Sequence, residues 1–214
     1  AEEKRLGLEY YKNNILHFFL PLSFVAASIL SCREDLILLN QIMEDYQFFK
    51  RLFRHEFIFD DRVDDLDEVN DVLAYLHKKG MISAEERAQK AWIEVKGTGR
   101  AHLQQFAGLI HNYIESYWVV IRGCTYLKKK PKPEKDFRKI LQQFGAKIFR
   151  KGEIMRAESL SQSNYANAVR YLREVGVLNL GEIFVKGEKS KIDFFTLAEL
   201  KALESLRRRL FRFL

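Results

Sequence analysis

Charged and apolar positions divide this chain into helical stretches separated by short turns. The first stretch is the least ordinary: from Ile15 to Cys32, "ILHFFLPLSFVAASILSC", eighteen residues pass without one charge. That length suits a membrane-spanning helix. Pro21, however, would free backbone groups that lipid cannot satisfy, and His17, Ser23, Ser28 and Ser31 add polar atoms. The run therefore predicts a buried or interface helix, kinked or broken around Pro21, that does not cross a bilayer. Ser31 and Glu34 have the S-x-x-E spacing of a capping box, which predicts a helix from there to about Phe57. Leu36, Leu39, Ile42, Met43, Tyr46, Phe49 and Phe53 recur at helical spacing and give it a buried face.

After the acidic turn "DDRVDDLDE" the chain repeats itself. "VNDVLAYLHKKGMI" (Val69 to Ile82) aligns without a gap to "YANAVRYLREVGVL" (Tyr165 to Leu178). In both, Tyr and Leu sit together on a helix, with a glycine four residues beyond the Leu to stop it. Tyr75 with Leu76, and Tyr171 with Leu172, are expected at matching core positions, with Gly80 and Gly176 as the stops. Each copy is followed by a strand-like piece, "WIEVKG" and "EIFVKG". Helix, glycine cap and short hairpin together read as a winged-helix-like unit.

Between the copies "GRAHLQQFAGLIHNYIESYWVVIRGCTYL" predicts one long helix, with Leu103, Phe106, Leu109, Ile110, Tyr113, Ile114 and Tyr117 on one face. "KKKPKP" breaks it, and another helix follows near Glu134 to Lys151. Thr196 and Glu199 form a second capping box, opening a helix that reaches the end. The fold class is mainly α, with two winged-helix-like helix-plus-short-hairpin units. The expected divisions are 1–60 (apolar first helix and its partner), 61–127 (first unit and long helix), 128–133 (basic linker) and 134–214 (helix, second unit, basic amphipathic last helix).

Composition narrows the class. With 214 residues, 47% hydrophobic and 30% charged, the chain can bury a core and is not disordered. Cys32 and Cys124 lie in apolar surroundings and make no disulfide scaffold, which fits a reducing compartment. "AEEKRLGLEYY" carries neither an initiator Met nor a signal peptide, so an excised piece of a longer protein is expected. The net charge of +7 is concentrated in "LKKKPKPEK" and "LRRRLFRFL". Such clusters attract nucleic-acid phosphates or anionic lipid, or are simply a solvated linker and a solvated helix face.

Candidate chemistry is sparse. "HEFIFD" places His55 and Asp60 in an H-x-x-x-x-D acyltransferase pattern. Five residues of helix rotate about 500°, leaving the pair roughly 140° apart, and no glycine- and proline-bearing substrate loops follow. The remaining histidines, His17, His77, His102 and His111, form no i, i+4 pair and no cluster with cysteine, so no metal or cofactor is expected. Nucleic acid is an unfavourable partner, because the first candidate recognition helix carries Asp64, Asp65, Asp67, Glu68 and Asp71. The second carries Arg170 and Arg173, with Lys186, Lys189 and Lys191 on its wing, so a tandem winged-helix nucleic-acid module is the competing reading. In the last helix Leu203, Leu206, Leu210 and Leu214 run along one side, among Arg207, Arg208, Arg209 and Arg212. That helix either lies on a membrane surface or packs on the core with its arginines in water.

"YYKNNILHFFLPLSFVAASIL" and "AESLSQSNYANAVRYLREVGVL", in that order, resemble the region carboxyl-terminal to the catalytic domain of membrane-associated glycerol-3-phosphate O-acyltransferases. The related dihydroxyacetone-phosphate acyltransferases share it. The likeness runs from about Leu8 to Leu178. That family moves an acyl group from an acyl thioester to the first hydroxyl of glycerol 3-phosphate, starting phospholipid synthesis. A His–Asp pair deprotonates the hydroxyl in an upstream domain, so the resemblance carries no catalytic residue onto this chain. It implies a non-catalytic domain with its own catalytic domain as partner, placed peripherally at the cytoplasmic face of a membrane. Tyr10, Tyr11, Asn13, Asn14 and His17 are then candidates for an interdomain or lipid interface. Asn13 and His17 share a helical face and would form a polar seam, either against the catalytic domain or within this same domain. Arg207, Arg208, Arg209 and Arg212 are the membrane-surface candidates.

Overall fold

The computed structural model describes residues 15–32, 34, 36–60, 62–184 and 191–214. It is predominantly α-helical with two small antiparallel sheets. The chain divides into two compact units, one up to Ile110 (with Phe213 counted there) and one from His111.

The first unit begins with the uncharged run. After a 3-10 turn, His17–Phe19, helix α1 spans Leu20–Ser31 with Pro21 in its first turn. There the missing N–H is no loss, so the proline starts the helix and does not kink it. Leu20, Phe24, Val25, Ala26, Ala27 and Ile29 are all buried, which is how a helix that is apolar on every side must sit. Among the described residues no helix is long and apolar enough to cross a membrane.

Strand β1 (Leu36–Leu38) follows, then α2 (Leu39–Leu52) and α3 (Asp65–Lys78), strands β2 (Ile82–Arg87) and β3 (Lys90–Val95), and α4 (Gly99–Gly108). The sheet order is β1-β3-β2, with Ile37 opposite Ile93 and Ile82 opposite Val95. α1 packs on α2, α3 and α4. At its centre Phe24 stacks on Phe49, ring centroids 5.2 Å apart, and Phe49 on Phe53.

The second unit repeats this order. α5 (His111–Gly123) is buried along nearly its whole length. It is followed by β4 (Lys132–Pro133), α6 (Glu134–Arg150), α7 (Gln162–Glu174), β5 (Leu178–Phe184), β6 (Lys191–Leu197) and α8 (Leu200–Phe211). Its sheet order is β4-β6-β5, so again a short strand ahead of two helices pairs with the returning strand of the hairpin. Residues 128–133 lie inside this unit, and Lys132 and Pro133 pair with Phe195 and Phe194.

Both repeat glycines end their helices. Gly80 (φ +70°) follows α3 and Gly176 (φ +73°) follows α7. The Met81 N–H donates to Leu76 O (3.0 Å) and the Gly80 N–H to His77 O (2.8 Å). Val177 to Leu172 (2.9 Å) and Gly176 to Arg173 (3.1 Å) repeat the pattern. These are two copies of one Schellman cap. Leu76 and Leu172 are both buried, but Tyr75 is 43% exposed where Tyr171 is 5%. The leucines match and the tyrosines do not.

Four local expectations are overturned. Ser31 closes α1, its Oγ donating to Ser28 O at 2.8 Å, and opens nothing. The stretch after it is taken by β1, and α2 starts at Leu39 without a side-chain cap and stops at Leu52. Thr196 likewise is inside β6 opposite Asn179, and α8 has no side-chain cap. The long helix is two, because Leu109 and Ile110 turn tightly, their N–H groups donating to Phe106 and Ala107. Finally, Trp92–Val95 lies in the returning strand β3 but Glu182–Phe184 in the outgoing strand β5, so that part of the alignment is not structural. Val185, Lys186, Gly187 and Lys189 lie outside the described residues.

Candidate functional site

Tyr10, Tyr11, Asn13 and Asn14 lie outside the described residues, and of the first candidate group only His17 is placed. It is exposed in the 3-10 turn ahead of α1, its ring centroid 3.8 Å from that of Phe18. Around it three large apolar side chains face water: Ile15 is 53% exposed, Phe18 74% and Phe19 41%. Beside them is a groove of about 310 Å³ lined by Ile15, Leu16, Phe19, Gln105, Phe106 and Leu109. The same turn that separates α4 from its successor places Leu109 in this groove. Exposed apolar side chains are ordinary singly, but three in one turn beside an apolar groove form a patch that a partner would cover.

Ser28, within the uncharged run, is tied to the neighbouring helix. Ser28 Oγ donates to Asp45 Oδ2 at 3.0 Å, and Gln41 Nε2 to Asp45 Oδ1 at 3.2 Å. Asp45, on α2, is fully buried and receives these donors in place of water.

In the second unit the A-E-S stretch, Ala157, Glu158 and Ser159, forms a 3-10 turn latched to α5. Buried Glu115 accepts from the Met155 N–H (2.7 Å), the Arg156 N–H (3.0 Å) and Ser159 Oγ (2.5 Å), and His111 Nδ1 stands 3.5 Å away. Ser116 Oγ donates to Ser159 O at 2.9 Å and accepts from Asn164 Nδ2 at 3.2 Å. Burial pushes the Glu115 carboxyl up, but the surrounding donors outweigh it and hold it below the usual glutamate value. The resemblance singled out the A-E-S letters, and their geometry is that of a structural latch. Glu115 itself was missed; its signal was one acid set inside "NYIESYWVV".

A second cavity, of about 270 Å³, lies between α6 and α7 of this unit. Its floor is Phe137, Leu141, Tyr165 and Phe195, all buried, and exposed Arg138, Arg170 and Arg173 line its edge. Gly145 makes room for Tyr165, whose hydroxyl lies 2.2 Å from where a β-carbon on that glycine would stand.

Both carboxylate oxygens of Asp60 are held by Arg62, at 2.9 and 2.8 Å, which draws that carboxyl below its usual range. Cys124 is fully buried and its thiol is pushed up by burial, the reverse of a reactive thiolate. Among the described residues no group of three or more His, Cys, Asp or Glu could hold a metal. On α8, Leu203 and Leu210 are buried within the fold while Arg207, Arg208 and Arg212 are exposed and Arg209 is half-buried. Arg207 Nε pairs with Glu204 at 3.0 Å, and Leu214 is 40% exposed.

Residues 1–181 match the family model described as the glycerol-3-phosphate acyltransferase C-terminal region. Among curated proteins none matches the chain.

Proposed function

Because the chain belongs to the family of glycerol-3-phosphate acyltransferase C-terminal regions, we propose that it packs against the catalytic domain of such an enzyme through the apolar face around Ile15, Phe18 and Phe19. On this reading acyl transfer from an acyl thioester to the first hydroxyl of glycerol 3-phosphate is performed by that domain, and this chain supplies support and no reacting group. The observation that carries the reading is the exposed Ile15–Phe18–Phe19 cluster with its groove against Phe106 and Leu109. It comes directly after the segment holding Tyr10, Tyr11, Asn13 and Asn14. We propose that these residues and His17 border the same contact.

The finer architecture we propose is a pair of winged-helix units, supported by the repeated helix–strand–helix–helix–hairpin order and the two equivalent sheet orders. The fold does not bring nucleic acid with it. The first turn of α3 carries Asp65, Asp67 and Glu68 behind the capping Asp64, a surface that repels phosphate. For the membrane we propose a peripheral, cytoplasmic-face contact through Arg207, Arg208, Arg209 and Arg212. Leu203 and Leu210 are already used within the fold, while Leu200, Phe211 and Leu214 are exposed near the arginines.

The test is made in the acyltransferase carrying this domain. Phe18→Asp with Phe19→Asp is expected to lower its activity at least about tenfold, equivalent to roughly 1.4 kcal/mol of lost domain contact, while this chain alone keeps its helical circular dichroism. Unchanged activity would contradict the docking face. Turnover by the chain alone, lost on changing His55 to Ala, would contradict the non-catalytic role.

A further inference from the structure

The two units offer an internal comparison at the groove between their second and third helices. In the first unit that groove is a cavity of about 640 Å³ lined by Met43, Gln47, Lys50, Asp64, Asp65 and Leu66, and its charges neutralise one another. Lys50 Nζ lies 2.6 Å from Asp65 Oδ1 and 3.4 Å from Glu68 Oε2, and Tyr46 Oη donates to Glu68 Oε2 at 2.6 Å. In the second unit the same groove, between α6 and α7, is open as the cavity of about 270 Å³. Its floor is aromatic and aliphatic, and its edge carries three arginines. Arg138 pairs with Glu134 on its own helix, and Arg170 with Glu174 at 3.4 Å on its own. Arg173, exposed one turn beyond Arg170, makes no ion pair with another described residue. The first copy lines this place with mutually paired charges and the second with an apolar floor edged by arginines, so the second cavity's chemistry is not set by the shared fold.

We propose that this cavity binds an amphiphilic anion, with an apolar chain end on Phe137, Leu141, Tyr165 and Phe195 and a carboxylate or phosphate group at Arg170 and Arg173. The volume favours a small occupant or one end of a longer one. A cavity of ~150 Å³ holds a benzene ring, and pockets for drug-sized ligands begin near ~300 Å³. Guanidinium groups select an oxyanion and bind it through charge-assisted hydrogen bonds. Arg170 and Arg173, three residues apart, share one face of α7 and can reach a common anionic group. A concave apolar floor disfavours nucleic acid, whose phosphates need an extended cationic track. The inference does not rest on the docking face proposed above, since it concerns residues of the second unit only.

The experiment uses the 214-residue chain and four probes: decanoate, decyl phosphate, decanol and inorganic phosphate, each followed by calorimetry and backbone NMR. Saturable one-to-one binding of decanoate or decyl phosphate is expected, with shifts on α6 and α7. The pair Arg170→Gln, Arg173→Gln should weaken it about tenfold or more, the loss expected for one or two charge-assisted hydrogen bonds. Val169→Phe, which fills the cavity, should abolish it. The two surface substitutions keep the test decisive if the filling variant does not fold. Preference for decyl phosphate over decanoate would point to a phospholipid-like headgroup, and the reverse to a free fatty acid. Decanol should bind at least about tenfold more weakly than decanoate. Any of four results would overturn the proposal: no saturable binding of either anion, binding untouched by the arginine pair, inorganic phosphate binding as tightly as decanoate, or a duplex oligonucleotide binding through these arginines while decanoate does not.

Discussion

Glu115 is a buried carboxylate on a helix whose Tyr113, Ile114, Tyr117 and Trp118 are also buried, and it is stable there only because donors surround it. Replacing it by Ala leaves the Met155 and Arg156 N–H groups without their acceptor and should cost about 3 kcal/mol, with Glu115→Gln costing less. The pH dependence follows from the depressed carboxyl. The folded group releases its proton more readily than an unfolded glutamate, whose value is about 4.3. Its stabilisation is therefore complete above that value and is lost as pH falls through the folded one. Urea unfolding should show stability falling more steeply between about pH 5 and pH 3 in the native protein than in Glu115→Gln. Equal slopes would remove Glu115 from the account. Little of this was legible in the sequence, because periodicity sorts residues by face and does not say which acid meets a backbone turn forty residues away. The tyrosines fail for the same reason. Tyr75 and Tyr171 occupy one position in the alignment, yet only Tyr171 is covered, its ring 6.4 Å from that of Tyr117.

At the level of elements, signals that act through the backbone were readable and signals that act through one side chain were not. Gly80 and Gly176 adopt the positive φ that L-residues avoid, so their positions as helix stops are fixed by sterics. Ser31–Glu34 and Thr196–Glu199 have capping-box spacing, but strands claim the neighbouring residues, and pairing with β3 and β5 overrides a local hydrogen bond of about 1 kcal/mol. The hairpin joining β2 to β3 shows the opposite conflict. Ala88 (φ 51°) and Gln89 (φ 58°) form its two-residue turn, a geometry that favours Asn-Gly. Left-handed backbone costs an ordinary residue about 1 kcal/mol or more. Ala88→Asn with Gln89→Gly should therefore raise the stability of the chain by about 1–2 kcal/mol, seen as a higher urea midpoint at unchanged slope. A lower midpoint would mean that the turn is held by something other than its own geometry.

The two units follow one element order and one strand order, which sequence disclosed only in part. The aligned segment covers α3 and α7 with their caps, while the equivalence of α1 with α5, and of β1 with β4, has no shared letters to reveal it. α1 and α5 are both central and buried, but one is built from uncharged residues and the other from aromatics around a latched glutamate. That the first segment forms no helix long and apolar enough to cross a membrane was legible from Pro21 and the serines. Its outward face was not, because Ile15, Phe18 and Phe19 read as more of the same apolar run, and only the fold separates them from buried Leu16 and Leu20. That outward face carries the central claim, and amide hydrogen exchange of the chain, alone and with the separately produced acyltransferase catalytic domain, tests it most directly. Slower exchange is predicted on adding that domain for residues 15–19 and 105–109, with the α3 and α7 caps unchanged. Exchange at 15–19 and 105–109 that stays the same in its presence would contradict the account.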